Sequence, residues 1–277
     1  MQSQENCECN DYSQLTANTG LANINTAHPL LDGTGSTKVF TAGGKGAIIK
    51  SVTIKATQPT TKGMVRLFIG NAAGSAFALY KEVPIPTNPA LTNTPTPVIV
   101  LPSFEITLEG GFKLSAGMCL YASTQNEQSF NIITEGLNWD YPTPKPSNCC
   151  NYLNSTAKTG IGTISVANAS LTGSGSITNI LTSSPLLNNG TNIANVVIKA
   201  LQSTNPGMVR LFITDGTTKY LYKEIMIPET LQSSNNPSFK QIVPINFSLK
   251  AGYVIAASTE IAEAFAVTAE GLDWNYA

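Results

Sequence analysis

The sequence predicts an all-β protein made of two tandem, homologous antiparallel β-sandwich domains of the jelly-roll type. Three observations predict it: the chain repeats itself once, apolar residues alternate with polar ones in short runs, and no run of ten residues has helical periodicity. Seven or eight short strands in about 130 residues are typical of an antiparallel sandwich. An immunoglobulin-like sandwich is the second choice, since the paired cysteines that would favour it are missing.

The repeat defines the two copies. Four blocks occur twice: GMVRLFI at 63–69 and 207–213, LYKE at 79–82 and 221–224, FKLSAG at 112–117 with FSLKAG at 247–252, and EGLNWDY at 135–141 with EGLDWNY at 270–276. The spacing between matching blocks falls from 144 to 142 to 135 residues. Copy one therefore carries insertions of about two and seven residues. We expect them in the 70–78 hairpin and the 87–105 segment, because loops absorb insertions and strands do not.

The domain boundaries follow from these blocks. The predicted units are an N-terminal tail and anchor at 1–16, a first sandwich at 17–141, a Pro-rich linker at 142–147 and a second sandwich at 148–277. The linker, Pro-Thr-Pro-Lys-Pro-Ser, is typical of a short, stiff, extended connection.

Individual strands are predicted from alternation and from bounding turn residues. In copy one they are 48–56, 64–69, 77–85, 106–108, 112–114, 119–122 and 130–134. In copy two, 208–213 and 220–227 flank Asp215-Gly216, a hairpin signal because the tight turn needs positive φ.

The composition excludes several function classes. Charged residues make up 12% of the chain, the net charge is −1, and Thr, Asn and Ser fill 80 of 277 positions. This argues against a nucleic-acid binder and against a polybasic membrane binder. His28 is the single histidine, so histidine catalysis and multi-histidine metal sites are not expected, and no cofactor is predicted. No apolar run resembles a secretory signal or a membrane helix, which predicts folding in the cytosol.

Charged residues that both copies keep are the first candidates for a site. They are Arg66 and Arg210, Glu82 and Glu224, and Glu135 and Glu270. The favoured interpretation is structural: Arg66 forms a cross-strand ion pair with Glu82 or Glu135. A catalytic carboxylate pair of a polysaccharide-degrading enzyme is the alternative, but it needs an aromatic-lined cleft that the sequence does not indicate.

The two tryptophans form a second candidate set. The candidates are Trp139, Tyr141, Trp274 and Tyr276, which end the two copies. We interpret these segments as the last strands of the sandwiches, with the tryptophans as buried anchors. Alternatively, the rings face outward as a sugar platform or a subunit contact.

The cysteines do not indicate a metal. Cys7, Cys9, Cys149 and Cys150 have C-x-C and C-C spacings, which are poor for zinc. Free thiols are expected, with zinc or a disulfide as alternatives. Cys119 lies in an apolar strand and is predicted to be a small core residue.

The repeated blocks resemble a domain of virion proteins from tailed phages that infect Bacteroidetes, notably the crAss-like phages. The resemblance covers nearly the whole chain; copy one departs from it at 59–62. It implies a non-enzymatic structural protein on the capsid surface, either a head fibre or an auxiliary decoration protein, made in the host cytoplasm. It also implies other virion proteins as partners, such as the major capsid protein or a neighbouring fibre protein, and it transfers no catalytic residue.

The sequence also predicts how the protein assembles and how it attaches to a neighbour. Low charge favours close subunit packing, so a homo-oligomer, specifically a trimer, is predicted. The segment before copy one is predicted to anchor the protein, with Tyr12 and Leu15 inserted into a neighbour; alternatively it is the first edge of copy one. A glycan-binding adhesin or tail-associated receptor-binding module remains the alternative function.

Overall fold

The computed structural model describes residues 14–88, 102–140, 153–184, 190–233 and 235–276, which form sixteen β-strands. Copy one holds β1 (Gln14–Ile24), β2 (Thr37–Thr41), β3 (Ala47–Ala56), β4 (Gly63–Asn71), β5 (Phe77–Ile85), β6 (Glu105–Leu114), β7 (Met118–Thr124) and β8 (Phe130–Asp140). Copy two holds β9 (Leu153–Ile164), β10 (Thr178–Thr182), β11 (Thr191–Ala200), β12 (Gly207–Thr214), β13 (Lys219–Ile227), β14 (Lys240–Leu249), β15 (Val254–Thr259) and β16 (Phe265–Tyr276).

Each copy is a sandwich of two four-stranded antiparallel sheets. In copy one the orders are β1-β8-β3-β6 and β2-β7-β4-β5. In copy two they are β9-β16-β11-β14 and β10-β15-β12-β13, the same order strand for strand. Strands distant in sequence are neighbours in each sheet, which is the jelly-roll arrangement. The predicted tandem jelly-roll fold is confirmed.

The two copies also share their irregularities. Register shifts fall at Leu67/Phe68 and at Leu211/Phe212, where β4 and β12 pair with the following strand. A second matching pair lies at Ile49/Ser51 in β3 and Ile193/Asn195 in β11. Because bulges bend and twist a strand locally, the two sandwiches have equivalent edges and faces.

The length differences lie between described strands, as predicted, but not only at the two predicted places: the connection from β2 to β3 is 42–46, whereas that from β10 to β11 is 183–190. The last β4–β5 pair is Gly70 with Phe77, and the last β12–β13 pair is Thr214 with Lys219, so copy one has the longer hairpin loop. Between β5 and β6 the connection is 86–104, whereas between β13 and β14 it is 228–239. The seven-residue difference therefore lies between the described strands.

Three predictions of strand bounds were wrong. Segments 106–108 and 112–114 form one strand, β6, because Gly110 and Gly111 make a bulge and not a turn; Gly111 has a φ of 105°. The last strand of copy one continues from residue 134 to Asp140. Strands β1, β2, β9 and β10 were not predicted, because their small and polar residues lack a strong period-two pattern.

The predicted tail boundary is also corrected. β1 begins at Gln14, and Leu15 and Thr16 pair with Trp139 and Asn138. These residues therefore belong to the first sandwich and not to the anchor. The remaining tail, 1–13, and the Pro-rich linker lie outside the described residues.

The cores lie between the sheets of each copy. Copy one packs residues such as Phe40, Ile54 and Leu120, and copy two packs residues such as Ile198, Val209 and Phe265. Cys119 is buried with Phe68 and Tyr121, which confirms its core assignment. The other four cysteines lie outside the described residues.

Candidate functional site

Hydrogen bonds and ion pairs connect the two sandwiches where they contact each other, and this contact is called the joint. Strands β13 and β14 are edge strands of the two sheets of copy two, and the outward face of β1-β8-β3-β6 covers them. Ile133 of β8 belongs to the core cluster of copy two, and Leu21 of β1 packs against that cluster. The first sandwich therefore closes the open side of the second.

Polar side chains of the covering face hold the backbone of the covered edge. Glu135 Oε1 accepts hydrogen bonds from the Ser248 backbone N–H at 3.1 Å and from Lys50 Nζ at 2.9 Å. Thr19 Oγ1 donates to Ser248 O at 3.3 Å and accepts from the Lys250 backbone N–H at 3.0 Å. Edge strands carry unpaired backbone groups, and these contacts satisfy them without adding a strand.

A buried charge network lies beside this edge, centred on Glu224 of β13. Its Oε2 is 3.1 Å from Lys55 Nζ and accepts from both the backbone N–H and Oγ of Ser103 at 2.7 Å. Its Oε1 accepts from Arg210 Nε at 3.0 Å. The Lys55 side chain is fully buried and also donates to Ser103 O. Such a network tolerates burial because each charge has several partners.

The network continues toward solvent on both sides. Glu105 of β6 pairs with Lys55 at 3.4 Å and with Lys223 at 3.1 Å, which joins the two copies a second time. Within copy two, Arg210 Nη2 is 3.1 Å from Glu260 Oε1.

Electrostatics keep Glu224 ionised. Burial alone raises the pKa of a carboxyl group. The charge of Lys55, the two hydrogen bonds from Ser103 and the charge of Arg210 outweigh that effect, so the pKa of Glu224 lies below its ordinary value of 4.5. Nearby, burial raises the pKa of Tyr222, and the charges of Glu105 and Glu135 raise it further.

A cleft of about 330 Å³ opens next to the network. Its lining includes Pro102, Glu105, Lys223, Glu224, Met226 and Gln241. No aromatic side chain occurs among the described lining residues. The carboxylates of Glu105 and Glu224 that face it are held by lysine or arginine partners, and the described lining offers no aromatic stacking surface.

The charged residues predicted from sequence behave differently in the two copies. Arg66 Nε bonds Glu82 Oε1 at 2.9 Å across the β4–β5 pair, and Arg210 bonds Glu224 in the same way. Glu135 is buried in the joint, whereas its counterpart Glu270 is exposed. Glu224 and Glu135 therefore take part in the joint, whereas the structure shows no such contact for their counterparts Glu82 and Glu270 among the described residues.

The aromatic candidates lie away from this network. Trp139 is half-buried near the end of β8, with Lys113 Nζ 5.8 Å from its ring centroid. Trp274 and Tyr276 pair with Ser155 and Leu153 at the end of the β16–β9 ladder. Tyr12 and Tyr141 lie outside the described residues.

Sequence reasoning missed the covering face. It singled out Glu135 but not Thr19, Lys55 or Asn131, whose Nδ2 donates to Leu221 O at 3.3 Å. One signal could have found it: TANTGL at 16–21 returns as TAKTGI at 156–161. The repeated IKA of 54–56 also contains Lys55, although a lysine in a strand gives no indication that another domain buries it.

The described part of the chain holds neither a candidate metal site nor a candidate membrane-spanning helix. Within it, no group of three or more His, Cys, Asp or Glu side chains is arranged to hold a metal ion. Nor do those residues form a helix of the length and apolarity that crossing a membrane requires.

Comparisons with known proteins give similarity in solved structures only. No family model and no curated protein sequence matches the chain. A tandem pair of CBM22 domains from Paenibacillus barcinonensis Xyn10C matches at 8% identity and a TM-score of 0.25, covering 94% of this chain and 93% of that one. A peptide-N(4)-(N-acetyl-β-D-glucosaminyl)asparagine amidase matches at 11% and 0.23, covering 92% and 96%.

A fucolectin from striped bass (Morone saxatilis) serum also matches, at 11% identity and a TM-score of 0.23, covering 96% of this chain and 100% of that one. At these identities and TM-scores the likenesses carry no argument about function.

Proposed function

We propose that this protein is a non-enzymatic structural protein of a bacteriophage virion, carried on the capsid surface as a head fibre or decoration protein. The observation that supports a structural role is the joint, in which a sheet face and a sandwich edge are matched by hydrogen bonds and the buried Lys55–Glu224 ion pair. Hydrogen bonds and the Lys55–Glu224 ion pair hold one domain against the other. The sequence resemblance to virion proteins of crAss-like phages supports the assignment to a virion, and the capsid surface is part of the proposal.

The acids of the joint support a non-catalytic role. A glycosidase acid needs a raised pKa and a partner carboxyl group at a defined separation. The pKa of Glu224 is lowered, and Glu105 lies between two lysines. Glu224 is therefore poorly suited to donate a proton, and Glu105 is engaged in ion pairs.

The test is location in purified particles. Virions of the encoding phage are banded twice in density gradients, and the protein is quantified by mass spectrometry against the major capsid protein. We expect a fixed copy number that survives the second gradient, and antibody labelling on the head. A copy number that falls with each gradient, or labelling restricted to the tail, contradicts the capsid assignment.

Attachment is proposed to use residues 1–13, which include Tyr12, with the major capsid protein or a neighbouring fibre protein as partner. Leu15 is removed from this proposal because it lies in β1. Deletion of 1–13 removes no described strand, so the shortened protein should fold and lose its place on particles. Normal occupancy of the shortened protein would move the attachment site to the sandwiches.

One observation favours glycan binding as a second candidate function. Tyr80 and Phe112 form a ring pair with centroids 4.6 Å apart on the β5–β6 side of copy one, and Tyr80 is exposed. Exposed aromatic rings stack on the apolar faces of sugars. If this edge binds glycan, affinity for purified host capsular polysaccharide is lost in Tyr80→Ala and kept in Tyr80→Phe; equal binding by both variants excludes this edge.

A further inference from the structure

The joint has two halves, a covering sheet face and a covered sandwich edge. Each copy contains both, but the internal joint consists of the face of copy one and the edge of copy two. The face of β1-β8-β3-β6 covers the β13–β14 edge. Among the described residues, the equivalent face in copy two, β9-β16-β11-β14, and the equivalent edge in copy one, β5–β6, have exposed apolar side chains such as Ile161 and Leu79. The copies share topology and bulges, so the unused halves have the same backbone form as the used ones.

The unused edge shows this contrast in identical residues. Leu79 and Tyr80 are 40% and 44% exposed, whereas their counterparts Leu221 and Tyr222 are 0% and 5% exposed. The tetrapeptide Leu-Tyr-Lys-Glu is the same in both. Leu221 and Tyr222 lie at the edge that the other sandwich covers, and no sheet among the described residues covers Leu79 and Tyr80 in this way.

The unused face carries a row of three apolar side chains and one threonine. Registers place Ile242, Val197, Thr268 and Ile161 side by side across four strands. Ile161 is 75% and Ile242 55% exposed. The equivalent row in copy one contains Leu21 and Ile133, which pack into the core of copy two. An apolar stripe on an open sheet face is typical of an interaction surface.

We propose that the face β9-β16-β11-β14 binds the β5–β6 edge of a second copy of this chain, head to tail, by repeating the internal joint. The second copy is the occupant because it alone presents the matching Leu-Tyr-Lys-Glu edge. Ile161 then takes the place of Leu21, and Thr159 takes the place of Thr19 on the edge backbone.

The polar groups of the unused face already have the arrangement that copy one uses in the internal joint. Lys199 Nζ donates to Ser238 O at 2.8 Å, as Lys55 Nζ donates to Ser103 O at 3.0 Å. Ser238 Oγ donates to Ala200 O, as Ser103 Oγ donates to Ala56 O. Lys199 and Ser238 are thus placed to receive the Glu82 carboxylate of the next chain, whose counterpart Glu224 binds Lys55 and Ser103.

Three differences between the copies change the charges of the proposed joint. Ala194 stands where copy one has Lys50, and Lys113 stands where copy two has Ser248, so Glu270 receives a lysine from the opposite side. Lys240 replaces Glu105 and faces Lys81 of the next chain. The like charges make the joint between chains weaker than the internal one, and added salt relieves this repulsion.

Such a joint is heterologous, because different surfaces meet. Heterologous contacts close into a ring or continue as a filament, depending on the rotation between units. A ring of three chains satisfies the predicted trimer, and an open series forms a fibre. The inference goes beyond the proposed function: a monomer that still decorates particles overturns the joint and leaves the proposed function standing.

The test uses one variant for each half of the joint. Ile161→Glu places a charge on the face, and Tyr80→Asp places one on the edge; both positions are exposed, so the melting temperature serves to verify folding. In sedimentation velocity over a concentration series, wild type should form species larger than a monomer. Each variant alone should remain monomeric, because one half of every contact is lost.

The mixture of the two variants is the decisive sample. The Tyr80→Asp chain keeps an intact face and the Ile161→Glu chain keeps an intact edge. An equal mixture should therefore form a dimer and nothing larger. A zero-length carbodiimide cross-link between Glu82 of one chain and Lys199 of another should appear in wild type and disappear in Ile161→Glu. The proposal is overturned if wild type stays monomeric, if neither variant alters its assembly, or if the mixture forms no dimer.

Discussion

Glu82 and Glu224 occupy the same position of the same tetrapeptide and bond equivalent arginines, yet their side chains are 40% and 3% exposed. Glu224 has gained Lys55 and Ser103 from the other sandwich, while Glu82 keeps the arginine of its own hairpin. The chain therefore contains its own control for the energetics of the joint.

Replacing Glu224 should destabilise the protein far more than replacing Glu82. Glu224→Gln leaves Lys55 and Arg210 buried without their shared counter-ion, which costs about 3–5 kcal/mol. Glu82→Gln takes a carboxylate that is 40% exposed from Arg66, which is itself buried, and because water screens that carboxylate the cost should be about 1 kcal/mol. Urea unfolding monitored by tryptophan fluorescence measures both. Equal losses in the two variants would mean that the network contributes nothing specific.

Stability should fall in acid because of Glu224. Its pKa is lowered in the folded protein, so its contribution is complete above the ordinary value of 4.5 and is lost as pH falls through the folded pKa. The free energy of unfolding of wild type minus that of Glu224→Gln should therefore shrink below about pH 4.5. A difference that stays constant from neutral pH into strong acid would contradict this assignment.

The leucines of the repeated tetrapeptide provide an apolar comparison. Leu221→Ala removes a fully buried side chain at the joint and should cost about 2–5 kcal/mol. Leu79→Ala removes a side chain that is 40% exposed and should cost less than about 1 kcal/mol at concentrations where the protein is monomeric. Thermal and urea unfolding of the matched pair test this. A larger loss for Leu79→Ala would show that the β5–β6 edge is covered within one chain.

Asn246 should tolerate glycine and reject a β-branched residue. It has a φ of 48°, the one positive value among the described non-glycine residues, at the bulge position that Gly111 fills in copy one. Asn246→Gly should be neutral or raise stability by up to about 1 kcal/mol, whereas Asn246→Val should cost about 1–2 kcal/mol or more. Urea unfolding of both variants measures the difference, and a stable valine variant would rule out strain at this position.

Much of the fold was predictable because its signals are local. Alternating apolar residues predicted β3, β4, β5, β12 and β13 with nearly their observed bounds. The Arg66–Glu82 pair was among the expected partners because β4 and β5 form a hairpin and place these residues opposite each other. Strands β1 and β9 escaped prediction because small and polar residues dominate them, and the outward side of β1 packs against another domain.

The joint could not be predicted because its partners are distant in sequence. Lys55 meets Glu224, and Glu135 meets the Ser248 backbone, only after both sandwiches have formed and docked. No spacing or periodicity encodes such a contact. Burial of a lysine by another domain leaves no mark on the lysine's immediate neighbours in the chain.

The sequence by itself determined that the chain is a duplicated jelly roll and that Leu-Tyr-Lys-Glu occurs at the same place in both copies. Only the tertiary structure decided that Glu224 is buried while Glu82 is exposed. The physical reason is that local sequence sets strand pairing, whereas burial depends on what other parts of the chain cover. Within one chain, the β13–β14 edge lies under a sheet face of the other sandwich, whereas Leu79 and Tyr80 of the equivalent β5–β6 edge are exposed.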